Sequence, residues 1–422
     1  MPTREKSDFI VLGAGIVGIS TAIHLQRHGL SVTLVDRRGP GEETTFGNAG
    51  ILQREAVHPY VMPRNPLSLV GYAANRRTDV HFQVSSILAC APFLFRYWRM
   101  SSEKHARQTF AANVPLFAKC LEAHEELASA AGASGLISKA GWIRIFRHRQ
   151  ATDRRRAEID DLNEIGLHAR FVEGNVLRDL EPDLNQSEIE AAVYYADPWS
   201  TPDPGGLAKA YARLFLCEGG RIVRADALSA RRSGAHWSID ASDGGSMQAD
   251  RIAVTLGPWA TEFLSKFGLT LPMWIKRGYH RHYRPEGPAR LTRPVADDET
   301  GFALAPMAAG IRLTSGAEFA RLDAPRTPVQ IQRALPKARQ LFPLGESLDA
   351  EPWMGARPVF PDLLPVIGEA PGLPGVWLNF GHGHQGLTLG PATGKLVAQM
   401  IASAEPFCDP GPYSAGRFAV PR

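Results

Sequence analysis

Three glycines near the start of the sequence have the spacing of a phosphate-binding turn. Gly13, Gly15 and Gly18 form a GxGxxG pattern immediately after the apolar run at residues 9–12. In this pattern the first glycine permits a tight turn, the second lets a pyrophosphate approach the backbone, and the third lets the next helix pack on the strand. The free N–H groups and positive dipole end of that helix also attract phosphate. The pattern therefore predicts a dinucleotide site.

An acidic residue at the end of the next strand supports the same site. The run "SVTLVD" is typical of a second buried strand, and it ends at Asp36. A carboxylate there accepts hydrogen bonds from ribose hydroxyls and repels a 2′-phosphate, which disfavours NADP. Ile16 and Val17 at the helix start, and Arg37 beside the acid, are expected to contact the same cofactor. Because the whole strand–turn–helix–strand unit is present, a glycine turn without a ligand is disfavoured.

The stretch "NFGHGHQGLTLGP" at residues 379–391 is a second candidate for chemistry. His382 and His384 are one residue apart, as in some metal sites. A metal site needs three or four ligands, and no nearby Cys, Asp or Glu has ligand spacing, so we predict no metal here. The four glycines instead indicate a backbone pressed against a flat or phosphorylated ligand.

Composition excludes several other classes of protein. The 422 residues are 44% hydrophobic and 21% charged, with a formal net charge of +4, which is typical of a globular protein. The basic residues are scattered, so no nucleic-acid partner is expected. Four widely spaced cysteines without a CxxC pattern favour a reducing cytoplasm. The N-terminus has no apolar segment typical of export signals, and no apolar run is long enough to span a bilayer.

The elements that position these residues occur in the order of a known family. The glycine pattern is followed by "TTFGNAGIL", by "LEP" at 180–182, by "LGPWA" at 256–260, and by "GARPVFPDLLPVIG" before the histidine stretch. In this order the motifs resemble the FAD-dependent D-amino-acid dehydrogenases of the DAO-type flavoenzyme superfamily, near the D-alanine dehydrogenase small-subunit branch. The resemblance covers the chain from about residue 8 to about residue 402.

The resemblance implies FAD as the cofactor and assigns residues to it. Because no cysteine lies in a flavin-loop motif, we expect the FAD to be non-covalent. Thr44 and Thr45 would lie near the pyrophosphate, and Asn48, Ala49 and Gly50 along the isoalloxazine ring. The remaining expected contacts are Ala227 near the adenine, Gly257 in a turn after a buried strand, and four residues of the histidine stretch, namely Gly383, Gly386, Leu387 and Thr388.

The resemblance also implies substrate-binding residues, with alternatives for each. Arg357 occupies the position of the arginine that clamps the substrate carboxylate, although it would alternatively brace the C-terminal loop through Asp362. Tyr279 would add a hydroxyl to the carboxylate or be a core tyrosine. His382 or His384 would meet the substrate or complete loop hydrogen bonds.

The activity implied is oxidation of the Cα–N bond of a D-amino acid or cyclic imino acid, such as D-alanine, D-proline or a hydroxyproline. Hydride transfer to flavin N5 would give an imine, with no obligatory catalytic base. A quinone or another acceptor would take the electrons. The alternatives are a DAO-type oxidase of glycine- or sarcosine-like secondary amines, and a flavoprotein subunit of a heteromeric amine dehydrogenase with a partner subunit.

The expected architecture is an α/β fold with two domains. A Rossmann-like FAD-binding domain would be assembled from the discontinuous segments 1–80, 150–265 and 350–422. An antiparallel-sheet substrate domain, or cap, would comprise 81–149 and 266–349, with the active site at the interface. The apolar segment 87–95, followed by Arg96 and Trp98, is either a core or subunit-contact helix or a peripheral contact with the inner face of the plasma membrane.

Overall fold

The computed structural model describes residues 4–148, 152–234, 236–242 and 244–418. The helices are α1 Ile16–Arg27, α2 Pro66–Ala73, α3 Ile87–Met100, α4 Glu103–Ala118, α5 Cys120–Ala130, α6 Asp153–Glu164, α7 Gly174–Leu180, α8 Pro204–Cys217, α9 Ala260–Ser265, α10 Val329–Leu341 and α11 Gly386–Ile401. The strands are β1 Arg4–Leu12, β2 Val32–Asp36, β3 Ile51–Leu52, β4 Val80–Phe82, β5 Trp142–Phe146, β6 Ala169–Val172, β7 Ala191–Tyr195, β8 Trp199–Ser200, β9 Arg221–Arg224, β10 Arg231–Ser233, β11 His236–Asp240, β12 Ser246–Val254, β13 Trp274–Pro285, β14 Val295–Asp297, β15 Phe302–Met307, β16 Gly310–Thr314, β17 Ala317–Phe319, β18 Leu344–Ser347, β19 Trp353–Val359, β20 Val366–Glu369 and β21 Val376–Phe380.

The first sheet is built around β1. This strand pairs in parallel with β2 and with β12, and β9 and β21 extend the parallel sheet outward. Strands β10, β11 and β20 are antiparallel additions at its edges. Residues 9–12 are fully buried, because α1, α8 and α11 cover one face and α9 covers the other. A continuous apolar run is what a parallel strand covered on both faces requires.

Helix α11 crosses α1 at very short range. A Cβ at Gly394 would lie 2.7 Å from the backbone nitrogen of Thr21, and a Cβ at Gly390 would lie 3.1 Å from Cγ2 of Ile16. Side chains at these two glycines would push the helices apart. Because the two glycines have no side chains, the N-termini of α1 and α11 both open onto the same cavity.

The second sheet is a large, mainly antiparallel sheet centred on β13. Its strand order is β4-β17-β13-β16-β15-β14-β5-β7-β6, and β18 and β19 also pair with β13. One face packs on α10, where Ile331, Ala334 and Leu341 contact Tyr279 and other buried residues of the sheet. The opposite face is turned toward the first sheet and lines the cavity.

The two sheets do not follow the predicted domain ranges, which remain a prediction. Strands β6 and β7 belong to the second sheet, although the sequence analysis placed 150–265 in the FAD-binding domain. Strand β19 also lies in that sheet, although 350–422 was placed in the same domain. Conversely, α4 and α5 pack on α11 of the first domain, although 81–149 was assigned to the cap. These differences arise because each segment pairs with elements that are distant in sequence.

Several individual elements lie where the sequence predicts them. The first two strands and the helix between them match the predicted strand–turn–helix–strand unit, and β14, β15 and β16 pair antiparallel within residues 266–349, where an antiparallel sheet is predicted. Among the described residues, no helix is both long enough and apolar enough to cross a bilayer.

Candidate active site

A cavity of about 1080 Å³ lies between the two sheets. Its walls at one end come from the β1–α1 turn, the loop after β2, the turn after β12 and the start of α11. At the other end they come from β13, β17, β19 and α3. Pockets for a single small ligand are roughly 300–1,000 Å³, so this cavity is slightly above that range and has room for a large ligand.

The glycine turn after β1 forms the phosphate end of the cavity. Gly13 has a φ of +103°, and a Cβ there would lie 2.8 Å from the carbonyl oxygen of Thr255. A Cβ at Gly18 would overlap the carbonyl oxygen of Gly13. A Cβ at Gly15, by contrast, would meet Oγ1 of Thr45 at an ordinary 3.4 Å, so the space in front of Gly15 belongs to the cavity. Oγ1 of Thr45 accepts from the first N–H of α1, that of Ile16, at 3.1 Å. The N-cap residue Gly15 has no side chain to cap the N–H groups that follow, which leaves them for a phosphate.

Most residues predicted to bind the cofactor line this one cavity. They are Gly13, Gly15, Ile16, Val17, Asp36, Arg37, Thr44, Thr45, Asn48, Ala49, Ala227, Gly257, Gly383, Gly386 and Leu387. The other three support the wall from behind. Gly18 packs on the turn, Gly50 packs on the backbone of Thr201, and Oγ1 of Thr388 accepts a hydrogen bond of 3.1 Å from the backbone N–H of Gln53.

Asp36 organises the turn at the far end of the cavity. Its carboxylate accepts hydrogen bonds from the backbone N–H groups of Ala14 at 2.6 Å and Arg38 at 2.8 Å. Burial raises the pKa of this carboxyl group. Arg37 stacks on the ring of Trp259 at 4.2 Å, and Trp259 is a cavity residue that the sequence analysis did not single out. The sequence feature that could have identified Trp259 is its place in the "LGPWA" motif.

The loop at residues 44–50 is held by a second residue that sequence reasoning missed. Arg312 on β16 donates hydrogen bonds to the carbonyl oxygens of Phe46, at 3.1 Å, and Asn48. Nε of Arg312 also contacts Nε2 of His282 at 3.0 Å. At the other side of the loop, the backbone N–H of Ile16 donates to Oγ1 of Thr45 at 3.1 Å. The loop is therefore held both by β16 of the second sheet and by α1, which packs on the first sheet.

The two histidines of the C-terminal stretch have different surroundings. Nε2 of His382 lies 3.0 Å from Oγ1 of Thr393 in the interior, and burial lowers the pKa of His382 to about 3. His384 presents its ring to the cavity, 5.1 Å from the ring of Tyr60. Its pKa is also lowered to about 3, first by burial and then by the charges of nearby cations. Among the described residues, no three His, Cys, Asp or Glu side chains cluster as metal ligands.

Arg357 lies at the end of the cavity formed by β13, β17, β19 and α3, and no described carboxylate pairs with its guanidinium. Its guanidinium donates to the carbonyl oxygens of Gly316 at 3.1 Å and Ser315 at 3.4 Å. Burial alone lowers its pKa to about 10. The alternative of a brace through Asp362 is wrong, since the Asp362 carboxylate pairs with Arg417 at 2.7 Å.

Tyr279 lies on the opposite face of the sheet from Arg357. Lys276 is the register partner of Arg357 and Gly278 that of Gly355, and all four line the cavity. Tyr279, one residue after Gly278, also borders the cavity, but alternation along the strand directs its side chain to the opposite face. Its hydroxyl donates to Oε2 of Glu318 at 2.8 Å and accepts from the Thr327 N–H at 2.9 Å. The structure thus favours the core-tyrosine alternative.

Comparison with known proteins agrees with this geometry. The chain matches the family described as DAO, FAD dependent oxidoreductase, over residues 8–400. The chain belongs to the DAO family of FAD-dependent oxidoreductases. It is 29% identical to a D-amino-acid oxidase of Bradyrhizobium diazoefficiens, over 98% of this chain and 99% of that protein. It is 26% identical to a D-amino acid dehydrogenase of Chromohalobacter salexigens, over 97% and 99%.

A solved structure shows the same fold. The glycine oxidase of Geobacillus kaustophilus superposes with a TM-score of 0.75 at 21% identity, covering 99% of this chain and all of that one. The protein is therefore an enzyme, an amino-acid oxidoreductase with FAD as its cofactor. The cavity fits FAD, because the unfilled space in front of Gly15 and the N-terminus of α1 suit its pyrophosphate.

Proposed function

We propose that this enzyme oxidises the Cα–N bond of a D-amino acid or a cyclic imino acid to an imine. The observation that carries the proposal is Arg357, a cation in the cavity that is paired with no described carboxylate. Two backbone carbonyls hold the guanidinium in place. A substrate carboxylate is the natural partner for such a pre-positioned arginine.

The residues of the cavity have simple roles in this reaction. Bound FAD supplies the oxidant, since it accepts the hydride equivalent that leaves Cα. Arg357 orients the substrate through its carboxylate, and the enclosed site excludes water. His384 is neutral at working pH because its pKa is about 3, so it adds no further charge beside the substrate. The N-terminus of α11, which opens onto the cavity, favours negative charge there.

Product analysis tests this proposal. With a soluble dye as electron acceptor, a primary D-amino acid should give equal amounts of a 2-oxo acid and ammonia. D-proline should give a cyclic imine under the same conditions. Both should form more rapidly than from the L-enantiomers. Turnover of glycine or sarcosine with oxygen, in the absence of D-amino-acid turnover, would favour the secondary-amine oxidase instead.

We predict that the enzyme releases intact FAD when it is denatured by acid or heat. Cys90 is the cysteine that lines the cavity, and it lies at the substrate end beside Lys276. Burial raises the pKa of its thiol to about 12, so the reactive thiolate is scarce. Flavin that stays with the precipitated wild-type polypeptide but is released from a Cys90→Ala variant would contradict this prediction.

The electron acceptor is proposed to be a membrane quinone reached through an exposed apolar surface. Helix α3 has two faces. Phe93 is buried and stacks on Trp274, whereas Leu88 and Phe95 are 89% and 60% exposed. The alternative of a core helix therefore fits the buried face of α3, and the alternative of a membrane contact fits its exposed face. Exposed Leu67 on α2 and the basic Arg96 add the apolar and cationic character that a headgroup region favours.

Replacing Leu88 and Phe95 together by serine should weaken binding to anionic vesicles by more than about tenfold, since each buried apolar side chain contributes roughly 1.5–3 kcal/mol. Turnover with a soluble dye should not change. Leu216→Ser, which alters a residue with 47% exposure on α8, is the matched control. If the wild-type enzyme does not float with vesicles, electrons leave by another route, such as a partner subunit.

A further inference from the structure

Two cationic side chains lie next to each other on the cavity face of the second sheet. Lys276 on β13 is the register partner of Arg357 on β19, and both line the cavity. Directly opposed residues of an antiparallel pair point to the same face, with Cβ atoms roughly 4.5–5.5 Å apart. Like charges at this separation repel each other. Their placement therefore needs an anion that compensates them.

The described part of the protein does not provide that anion. Arg357 donates to backbone carbonyls, and Nζ of Lys276 rests on the rings of Tyr97 at 4.4 Å and Phe319 at 5.3 Å. Neither forms an ion pair with a described Asp or Glu. Burial and the charge of Arg357 lower the pKa of Lys276 to about 8, so most of it is protonated near neutral pH.

Other cations of the cavity, unlike Lys276 and Arg357, are paired with carboxylates. Arg144 also lines the wall, but its guanidinium pairs with the carboxylate of Asp298 at 2.7 Å. Arg37 and Arg155 line the cavity too, and they pair with Glu43 at 2.9 Å and with Asp298 at 3.0 Å. The fold thus neutralises three cavity cations internally and leaves two adjacent ones for a ligand. Lys276 and Arg357 are half-buried in the cavity wall. Unpaired charges that are partly withdrawn from water cost free energy, so the two together indicate a ligand with two negative charges.

The reaction limits what that ligand is. The amine of the substrate must be neutral when Cα loses a hydride, so the α-carboxylate is the single charge of an ordinary amino acid. That carboxylate balances Arg357 alone. We propose, resting on the proposed function, that the substrate is an amino dicarboxylic acid and that Lys276 binds its second carboxylate.

The surroundings of Lys276 set the length of the substrate. Cys90, Leu94, Tyr97 and Phe319 are the apolar residues grouped near it, and each lines the cavity. Apolar walls that lead to one ammonium group suit a short methylene chain with a terminal carboxylate, of the size of aspartate or glutamate. A basic side chain would be repelled by both cations.

Two measurements test this inference on the FAD-loaded enzyme. The first is the ratio of kcat/KM between D-glutamate and D-norvaline, which has a similar chain without the second carboxylate. The second is the binding of inert glutarate and butyrate, followed by the change that they cause in the flavin spectrum. Both are compared in the wild-type enzyme, in Lys276→Met and Lys276→Arg, and in Lys119→Met, which removes an exposed lysine far from the cavity.

We expect the wild-type enzyme to prefer D-glutamate and glutarate. Lys276→Met should reduce both preferences by roughly 10- to 100-fold, the range for one hydrogen bond to a charged group. Lys276→Arg should retain most of them, and Lys119→Met all of them. Equal flavin content in the variants confirms that they fold.

Two contrary outcomes distinguish a failure of this inference from a failure of the proposed function. If D-amino acids reduce the flavin but the ratio favours D-norvaline, or is unchanged in Lys276→Met, this inference is wrong and the proposed function stands. If glutarate binds more tightly than butyrate through Lys276 while no amino acid reduces the flavin, the dianion site is supported and the proposed function is wrong.

Discussion

Replacing Arg357 by methionine should lower kcat/KM for an amino acid by about 2–4 kcal/mol, or roughly 30- to 1000-fold, while FAD stays bound. The reason is the loss of a charge-assisted contact that the substrate carboxylate makes inside a buried site. Arg357→Lys should recover little, because an ammonium group cannot reproduce the two-pronged geometry of the guanidinium. Steady-state kinetics on FAD-saturated enzyme measures the effect.

The matched control for this prediction is Arg284→Met, which removes an exposed arginine from the same strand β13. It should leave kcat/KM within a factor of about two, because the residue is far from the cavity and contributes a surface ion pair. Unchanged kinetics in Arg357→Met would remove Arg357 from the active site and with it the observation on which the proposed function rests.

Replacing Gly15 by alanine should lower the affinity for FAD by roughly 2–3 kcal/mol, or about 30- to 150-fold, without unfolding the protein. The added Cβ meets Oγ1 of Thr45 at an ordinary 3.4 Å, so the protein tolerates it. The same methyl group enters the space in front of the N-terminus of α1, where the pyrophosphate must approach. Flavin content after dialysis and the far-ultraviolet circular dichroism spectrum measure the two effects separately.

Two other glycines provide controls. Gly135→Ala adds a Cβ with open space around it and should affect neither property. Gly18→Ala should destabilise the fold itself, because its Cβ would overlap the carbonyl oxygen of Gly13. If Gly15→Ala retains full FAD affinity, the pyrophosphate does not approach this turn.

The cofactor end of the site could be predicted because its signals are local. Gly13, Gly15 and Asp36 lie within one strand–turn–helix–strand unit, whose geometry depends on residues close in sequence. The proposed substrate end of the cavity was harder to predict from the sequence. Strand β13 is buried on both faces and carries cations on each of them, Lys276 on one and Arg277 on the other. Polarity therefore does not reveal which residues face the cavity, and the sequence left two alternatives for Tyr279, a substrate contact and a core tyrosine.

Long-range pairing explains the remaining differences. Strand β14 pairs in parallel with β5, although about 150 residues separate them, so the extent of the second sheet depends on contacts that no local pattern encodes. The same holds for Arg312, which fixes the loop around Asn48 from a different sheet. Its signal was a lone arginine in the otherwise apolar strand β16, and a buried charge of this kind has a specific partner as a rule.

The most direct test of the central claim is anaerobic reduction of the enzyme-bound flavin by a panel of substrates. The panel contains D- and L-amino acids, prolines and N-methyl amino acids, and it is added to purified enzyme without any acceptor. The account predicts that D-amino acids or cyclic imino acids remove the flavin absorbance within a single turnover, and that Arg357→Met slows this step. Flavin that dithionite reduces but that no member of the panel reduces would contradict the account.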